Sequence, residues 1–444
     1  SGKIADLAPD LIYCHEALSL PGCVAAKRAL KVPLVYDAHE FYDETEGLNA
    51  EVANSYYRKV HARYIGDVDY FITVSQTIAE MYREKYPQLT ENVSILPNSI
   101  VHRQIPPYDG RLHRAARLPE NKKILIYQGG ISTPRMVHEV VKAAQFLPND
   151  WSVVVMGTGA EKEEIAKLAE KINDSAILRQ ASSLLTEDQI TELKDRTLAY
   201  FGKIQANRDN GGETAADENA QLSGAESTGG DKGVDLERYV DNRINSLFDL
   251  YARRANQAQE KRRELYLREQ LVEKLDSIFW ETDQLIELKS QMRSKYWEFA
   301  RRLAMRDLIA GLEIEFSPRV SMIDAVPQGE LLEWTQGATV GVIPYPITSA
   351  NHWGCAPNKL WEYTGAGVPL ISTPSKEISE FIATYGIGWT ISADPKAQEI
   401  ANLTKSLTPE AIEAARQGCR RFIEESNWQI HSNNWVTMIG GIRA

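Results

Sequence analysis

Short apolar runs alternate with stretches of helical character along the first part of the chain. The runs cover residues 10–14, 32–36, 70–74 and 93–96, and helices are predicted up to residue 30, over residues 51–65 and up to residue 86. Strands that alternate with helices pair in parallel, and the helices cover the faces of the sheet. The pattern predicts an α/β domain over residues 1–110.

The same alternation returns in two separated parts of the chain. Apolar runs at residues 123–127 and 151–156 are each followed by glycines and a predicted helix, and further runs lie at 320–324, 339–343 and 368–373. The polar, basic residues from Pro106 to about 123 indicate a linker. A second α/β domain is expected from residues 120–180 and 318–425.

Residues 181–317 interrupt this second domain with a different composition. Residues 207–233 are rich in glycine, alanine, serine, threonine and acidic residues, which is typical of a disordered linker. From 234 to 310, apolar residues recur at intervals of three, four and seven, which favours a helical hairpin or coiled coil. We interpret this inserted module as a surface for a protein partner or for self-association.

Histidines and acidic residues follow the first two predicted strands directly. His15 and Glu16 end the first apolar run, while Asp37, His39 and Glu40 end the second. Ligands of parallel α/β sheets bind at the carboxyl ends of the strands. These five residues are therefore candidate site residues, although each histidine could instead be packed in the fold and one His-Glu pair could cap a helix.

The stretch from Gly354 to Pro369 predicts a helix with both ends marked. Pro357 suits the first helical position, and Gly365 or Gly367 suits the left-handed residue after the end. Asn358 and Glu362 share one face because they are four residues apart. The free N–H groups of the helix start, beside the Lys359 ammonium, suit a phosphate. The alternative is an ordinary amphipathic helix.

The net charge and the composition of the chain argue against some classes of function. The net charge of −11 argues against nonspecific binding of nucleic acid, which needs a basic surface. The four cysteines show neither metal spacing nor a disulfide framework, and no signal peptide or membrane-spanning run is evident. A cytoplasmic protein is expected, free or peripheral at the inner face of the cell membrane.

Two possible metal motifs receive simpler interpretations. Asp67 and Asp69 match an Asp-x-Asp metal motif, but they lie just before a predicted strand, which favours a structural cap. A zinc site from Cys14, His15, Cys23 and His39 would lack compact spacing. No metal or other cofactor is expected.

The order of these features resembles a GT-B glycosyltransferase, closest to the retaining, nucleotide-sugar-dependent group 1, or family 4. The GT-B fold pairs two Rossmann-like domains, and the closing segment at 426–444 looks like the family's terminal helix, which returns to the first domain. The motifs that carry the resemblance are Tyr36-Asp-Ala-His-Glu-Phe41, Leu96-Pro-Asn98, Gln128-Gly-Gly130 with Arg135, Val155-Met-Gly-Thr-Gly159, Val342-Ile-Pro-Tyr345, and Ala356-Pro-Asn-Lys-Leu-Trp-Glu-Tyr363 with Gly367-Val-Pro369.

The resemblance implies a nucleotide-diphosphate sugar as the donor, held by the second domain. By position, Glu362 would bind the ribose hydroxyls. The helix start at Pro357, Asn358 and Lys359 and the turn at Gly129 and Gly130 would face the diphosphate. Arg135 would neutralise charge on the departing nucleotide.

The resemblance also implies an acceptor, a glycan or a lipid-linked molecule, held by the first domain. His15 falls where many members of the family place a histidine beside the transferred sugar, and His39 and Glu40 would line the acceptor side with Glu16 and Asp37. His15, His39 and Arg135 are thus the candidate catalytic residues.

Three departures from the family pattern stand out. Gly354 occupies a position that often holds a second acid, and Met136 follows Arg135 where a lysine is frequent. The first domain also begins where it is usually half built, so it is expected to be abbreviated, or completed by residues outside this sequence or by another subunit.

The leading hypothesis is a retaining hexosyltransferase of polysaccharide or glycoconjugate synthesis. A nucleotide-sugar epimerase on the same fold would convert the donor without an acceptor. A non-catalytic scaffold or regulatory subunit would bind the donor without turnover and act through residues 234–310. The sequence leaves both alternatives open.

Overall fold

The computed structural model describes residue 7 and residues 9–45, 50–184, 187–209, 268–269, 272, 300, 304–307 and 317–442. The chain divides into two compact units, one formed by residues 1–173 with 317–444 and the other by residues 174–316. No helix of the described residues is long and apolar enough to cross a membrane.

The first unit opens with a parallel sheet whose four described strands follow the order β1-β2-β3-β4. Its core is aromatic, because Tyr36, Phe71 and Tyr82 are completely buried between sheet and helices. The strands and helices, in chain order, are β1 (Ile12–His15), α1 (Leu20–Leu30), β2 (Leu34–Ala38), α2 (Ala50–Tyr64), β3 (Tyr70–Thr73), α3 (Gln76–Lys85) and β4 (Val93–Ile95).

The same unit contains a second parallel sheet of six strands, in the order β10-β9-β8-β5-β6-β7. Crossovers through helices produce this order. The strands and helices from residue 111 onward are α4 (Arg111–Ala116), β5 (Lys123–Gly130), α5 (Val137–Ala143), β6 (Trp151–Thr158), α6 (Lys162–Leu184), α7 (Glu187–Asp209), β7 (Val320–Ile323), α8 (Leu331–Thr335), β8 (Val340–Ile343), α9 (Ala350–Gly354), α10 (Asn358–Gly365), β9 (Leu370–Ser372), α11 (Lys376–Tyr385), β10 (Gly388–Thr390), α12 (Ala397–Ser406), α13 (Pro409–Glu425) and α14 (Trp428–Ile442). Of these, α7 and the end of α6 from residue 174 belong to the second unit.

The predicted α/β fold class, with two parallel sheets covered by helices, is confirmed. Two local expectations were wrong. Gly129 and Gly130 continue strand β5 rather than forming a turn, since they pair with Gly157 and Thr158 of β6. The expected linker contains α4, because Leu112 and its apolar neighbours enter the core of the second sheet.

Contacts within the first unit join the two sheets. The Ser75 hydroxyl donates to the Gly354 carbonyl at 2.7 Å, and the Phe41 amide donates to the Asn351 side chain at 2.9 Å. The ring of Trp435 in α14 lies 6.3 Å from that of Tyr13 in β1. The carboxyl ends of β1 and β2 and the helices that follow β8 are thus parts of one compact body.

The second unit is described only in part. The Tyr200 hydroxyl in α7 donates to Asp307, and Arg306 lies 3.4 Å from Glu269. Residues 207–209 of the predicted disordered linker are the last residues of α7. The rest of that linker and most of the predicted hairpin or coiled coil at 234–310 lie outside the described residues. The insertion and its role therefore stay predictions, as do the domain boundaries.

Candidate functional site

Lys359 is the most unusual cation of the described residues. It is 6% exposed, and its ammonium donates to the Tyr345 hydroxyl at 2.6 Å while lying 5.3 Å from the centre of the Tyr127 ring. Burial, assisted by the nearby positive charge of Arg135, lowers the pKa of Lys359. A buried cation usually has an anionic partner, so this one suggests that an anion is supplied by a ligand.

Arg135 contacts the same hydroxyl. Its guanidinium donates to the Tyr345 hydroxyl at 2.8 Å and lies 5.2 Å from the centre of that ring. Among the described residues, no carboxylate lies within 4.0 Å of the charged nitrogens of Arg135 or Lys359. Two cations that share one neutral hydroxyl repel each other, and a bound diphosphate would compensate both charges.

Glycines bring the backbone close to these cations. Gly129 has φ +108°, a value that favours glycine, and a Cβ atom there would lie 2.7 Å from the Lys359 ammonium. A Cβ at Gly157 would lie 1.9 Å from the Gly129 carbonyl oxygen, so β6 also needs a glycine here. Gly130 faces Arg135, whose Cζ would be 3.7 Å from its Cβ. The glycines thus let the backbone of this edge lie close to both cationic side chains.

Helix α10 places Glu362 next to the same edge. Pro357 is the residue before the helix rather than its first residue, and the exposed Asn358 begins it. Glu362 accepts a hydrogen bond at 2.8 Å from the Gln128 amide, whose own oxygen accepts from Thr335 at 2.7 Å. The carboxylate is therefore held in one orientation, with capacity left for further donors.

Gly354 has a packing reason to be a glycine. A Cβ atom at this position would lie 3.1 Å from Ile78 and 3.3 Å from Met81 and Thr77, all in α3. Its carbonyl also accepts from Ser75. A larger side chain here would require these side chains of α3 to shift, which favours a small residue at this position.

The acceptor-side candidates converge at the ends of β1 and β2. One carboxylate oxygen of Asp37 lies 3.1 Å from His15 Nδ1 and 3.1 Å from His39 Nε2, and it accepts from the Tyr13 hydroxyl at 2.7 Å. Burial would raise the pKa of Asp37, but hydrogen bonds from His39 and Tyr13 hold it below its ordinary value. The bond to Asp37 in turn raises the pKa of His39.

Glu16 and Glu40 flank this cluster. Glu16 has φ 67° and ψ 151°, a region that only glycine adopts without strain. Such strain is characteristic of functional sites, so it supports Glu16 as a site residue. Burial raises the pKa of Glu40, and the positive charge of Arg135 partly opposes this. Glu40 and Arg135 are thus near enough to interact electrostatically.

The candidate residues therefore lie in two groups in the structure. Gly129, Gly130, Arg135, Lys359 and Glu362 gather around the carboxyl end of β5, whereas Pro357 and Asn358 contribute only the helix start. The other group is His15, Asp37 and His39, flanked by Glu16 and Glu40.

Sequence reasoning assigned no role to Tyr345, Tyr127, Gln128 or Tyr13. The first three lie in or beside motifs that were recognised, but which neighbour each would contact depends on the pairing of β5 with β8.

The Asp67-Val-Asp69 segment has structural partners. Asp67 pairs with Arg28 at 2.8 Å. Asp69 pairs with Lys27 at 2.6 Å and accepts from the Leu34 amide at 2.8 Å. These contacts tie the start of β3 to α1 and β2, which fits the interpretation as a structural cap.

Comparisons with known proteins found a matching sequence family and similar solved structures. Residues 2–104 match the sequence family described as Glycosyltransferase Family 4. Curated protein sequences gave no match. HepE of Anabaena, solved with UDP, shares 11% identity at a TM-score of 0.53, over 99% of this chain and 81% of that one.

Two further solved structures are similar. Sucrose-phosphate synthase of Thermosynechococcus elongatus shares 11% identity at a TM-score of 0.50, over 99% of this chain and 75% of that one. A glycosyltransferase of Rickettsia africae shares 9% identity at a TM-score of 0.51, over 99% of this chain and 80% of that one. At these identities the likeness shows the fold. Together with the family match, it confirms the prediction of a glycosyltransferase with the GT-B fold.

Proposed function

We propose that this GT-B glycosyltransferase moves a hexose from a nucleotide-diphosphate sugar to a glycan or lipid-linked acceptor, with retention of the anomeric configuration, in polysaccharide or glycoconjugate synthesis. The observation that carries the donor assignment is the pair of cations on Tyr345. Lys359 and Arg135 lie 2.6 Å and 2.8 Å from one hydroxyl, without a carboxylate partner among the described residues. UDP in the HepE complex is a ligand of the matching chemistry.

Each candidate then has a role in the donor complex. Lys359 and Arg135 neutralise the diphosphate, and Arg135 stabilises the charge that develops as the nucleotide departs. Gly129 and Gly130 let the backbone approach the phosphates. Glu362, oriented by Gln128, accepts hydrogen bonds from the ribose hydroxyls. This assignment gives the two side chains the charge-neutralising role that a metal ion would otherwise fill.

The acceptor is assigned to the first domain. His15 and His39 would face the transferred sugar, and Asp37, Glu16 and Glu40 would contact acceptor hydroxyls. In this mechanism the donor phosphate removes the acceptor proton on the same face of the sugar. The histidines therefore position the acceptor and do not deprotonate it. A cytoplasmic location, free or at the inner face of the membrane, would give access to both substrates.

The donor site is tested by combining a substitution of Glu362 with a ligand that lacks the ribose hydroxyls. Glu362→Ala should weaken UDP binding about 10-fold, because one charge-assisted hydrogen bond contributes about 1.5 kcal/mol. The 2′,3′-dideoxy analogue of UDP should bind the wild type with a similar loss and should bind Glu362→Ala no worse than UDP does. Calorimetric titration measures both.

The control is Glu380→Ala, which removes an exposed glutamate of α11. If the dideoxy analogue lost as much affinity in Glu362→Ala as in the wild type, Glu362 would not bind the ribose. Failure of the wild type to bind UDP, GDP and ADP alike would overturn the donor assignment as a whole. Incubation with a UDP-sugar alone, followed by a search for a new sugar isomer, distinguishes transfer from epimerisation.

A further inference from the structure

We propose that His15, Asp37 and His39 form a binding site for a divalent transition-metal ion of the zinc class. The three ligand atoms are His15 Nδ1, His39 Nε2 and one carboxylate oxygen of Asp37. The oxygen lies 3.1 Å from each nitrogen, and the nitrogens lie 3.3 Å apart. The proposal goes beyond the transfer reaction and does not depend on the donor site.

These separations fit a tetrahedral ion. Zn²⁺ binds histidine nitrogen and carboxylate oxygen at about 2.0–2.1 Å, which places neighbouring tetrahedral ligands about 3.3 Å apart. Without an ion, His39 Nε2 and His15 Nδ1 lie within hydrogen-bonding distance of each other, so that one nitrogen donates to the other. A bound ion would replace this contact with two ligand bonds. Two imidazoles and one carboxylate also suit zinc-like ions rather than Mg²⁺ or Ca²⁺, which prefer oxygen ligands.

The backbone holds the three ligands in place. His15 and Asp37 are directly paired across the parallel strands β1 and β2. His39 follows Asp37 by two residues, which returns it to the same face of the extended chain. Cys14, which the sequence offered as a ligand, points to the opposite face and is completely buried, so it is not part of the cluster.

Charge points to the same conclusion. The Asp37 side chain is 6% exposed, and the cationic groups within 4.0 Å of it among the described residues are the two histidines alone. A buried carboxylate is costly without a positive partner. One of the two histidines can supply that charge as a cation, and a divalent ion would supply it when both histidines are neutral ligands. The Tyr13 hydroxyl, 2.7 Å from the carboxylate, would act as an outer-shell donor.

The site would keep a position for a ligand from solution. The His15 side chain is 58% exposed, so water or a hydroxyl group can reach the cluster. Three protein ligands with one exchangeable position are the arrangement of catalytic rather than structural zinc sites. At the acceptor side of the proposed enzyme, an ion here would bind an acceptor hydroxyl and make it more acidic. The expectation of a protein without metal would then hold for the donor side alone.

The test is a titration of the untagged full chain with Zn²⁺ and with Co²⁺. We expect one Zn²⁺ per chain, and an intense visible absorption on binding of Co²⁺ as a tetrahedral site forms. His15→Ala and His39→Ala should each lower the affinity by about 100-fold or more, beyond the loss from an outer-shell change. His102→Ala, which removes an exposed histidine outside the cluster, is the matched control.

Two results would overturn the proposal. One is the absence of stoichiometric binding in a wild type that still binds UDP or melts cooperatively. The other is unchanged binding in the His15→Ala/His39→Ala double variant, which would place the ion on thiols or other surface groups. UDP affinity, measured on the same samples, separates a failure of the metal site from a failure of the donor site.

Discussion

The Lys359 ammonium donates to the Tyr345 hydroxyl at 2.6 Å, and this hydroxyl also accepts from Arg135 at 2.8 Å. A phenol oxygen that accepts two hydrogen bonds has used both lone pairs, and its own proton remains to be donated. In the proposed donor complex, Tyr345 would therefore do more than separate the two cations, because it would donate its proton to a phosphate oxygen.

We expect Tyr345→Phe to weaken binding of UDP by about 10-fold and to leave binding of uridine unchanged. The change removes one hydrogen bond to a charged group and the acceptor that orients Lys359 and Arg135. Calorimetric titration with both ligands measures the difference. Tyr385→Phe, which removes a hydroxyl bonded to Glu425 outside the site, should alter neither affinity. An equal loss for UDP and uridine would show that Tyr345 acts on the nucleoside instead.

Lys359→Met should stabilise the unliganded protein while it weakens UDP binding. Burial lowers the pKa of Lys359, so the folded protein holds this proton less tightly than the unfolded chain does. The protonated side chain therefore costs stability at neutral pH, and the cost shrinks as the pH rises toward the ordinary lysine value of about 10.4. The stability gain of the variant should be larger at about pH 7 than at about pH 9.5.

Urea unfolding of wild type and variant at the two pH values gives this difference directly. Lys27→Met is the control, because Lys27 is paired with Asp69 at 2.6 Å and its removal should not stabilise the fold. A Lys359→Met protein that is less stable at both pH values would mean that the packing of the lysine, rather than its charge, dominates.

Gly129→Ala should lower both stability and donor affinity. The φ of +108° is unfavourable for alanine, and the new Cβ would lie 2.7 Å from the Lys359 ammonium, which must move. A change at a left-handed glycine costs about 1 kcal/mol or more. Thermal unfolding and UDP titration measure the two effects. Gly329→Ala, at a glycine with open space and no positive φ, should leave UDP affinity unchanged. Wild-type affinity in Gly129→Ala would show that the phosphates do not approach this strand.

The sequence predicted the fold class because strands and helices alternate with a clear period, and this periodicity is local. It also selected Lys359, Glu362 and Gly129 as candidates, because motifs at a helix start and a strand end have local signals, and their role in donor binding stays a prediction. It missed the role of Tyr345, whose partners Arg135 and Lys359 come from different elements. It placed His15 and Asp37 in one group of strand-end residues, but it did not predict that they face each other, since this depends on the register of β1 against β2. Contacts between distant elements depend on sheet order, which no local pattern contains.

A buried network in the first domain makes its stability sensitive to acid. Asp43 is completely buried, with its carboxylate 2.7 Å from His61 and 3.1 Å from Lys85, and it also accepts from the Tyr86 hydroxyl. Burial alone would raise the pKa of Asp43, but the bonds from His61 and Tyr86 hold it below its ordinary value. The ionised carboxylate thus stabilises the folded state.

Asp43→Asn should therefore destabilise the protein by about 3 kcal/mol at neutral pH, as the loss of one partner from a buried charged network does. Because the folded pKa is lowered, this contribution is complete above the ordinary aspartate value of about 3.9 and is lost as the pH falls through the folded value. The difference in the free energy of unfolding between wild type and variant, measured with urea, should accordingly become smaller toward acid pH. Asp394→Asn, at an exposed pair with Lys396, is the control and should leave the free energy of unfolding nearly unchanged. If the difference between the wild type and Asp43→Asn stayed constant with pH, the lost stability would come from packing rather than from charge.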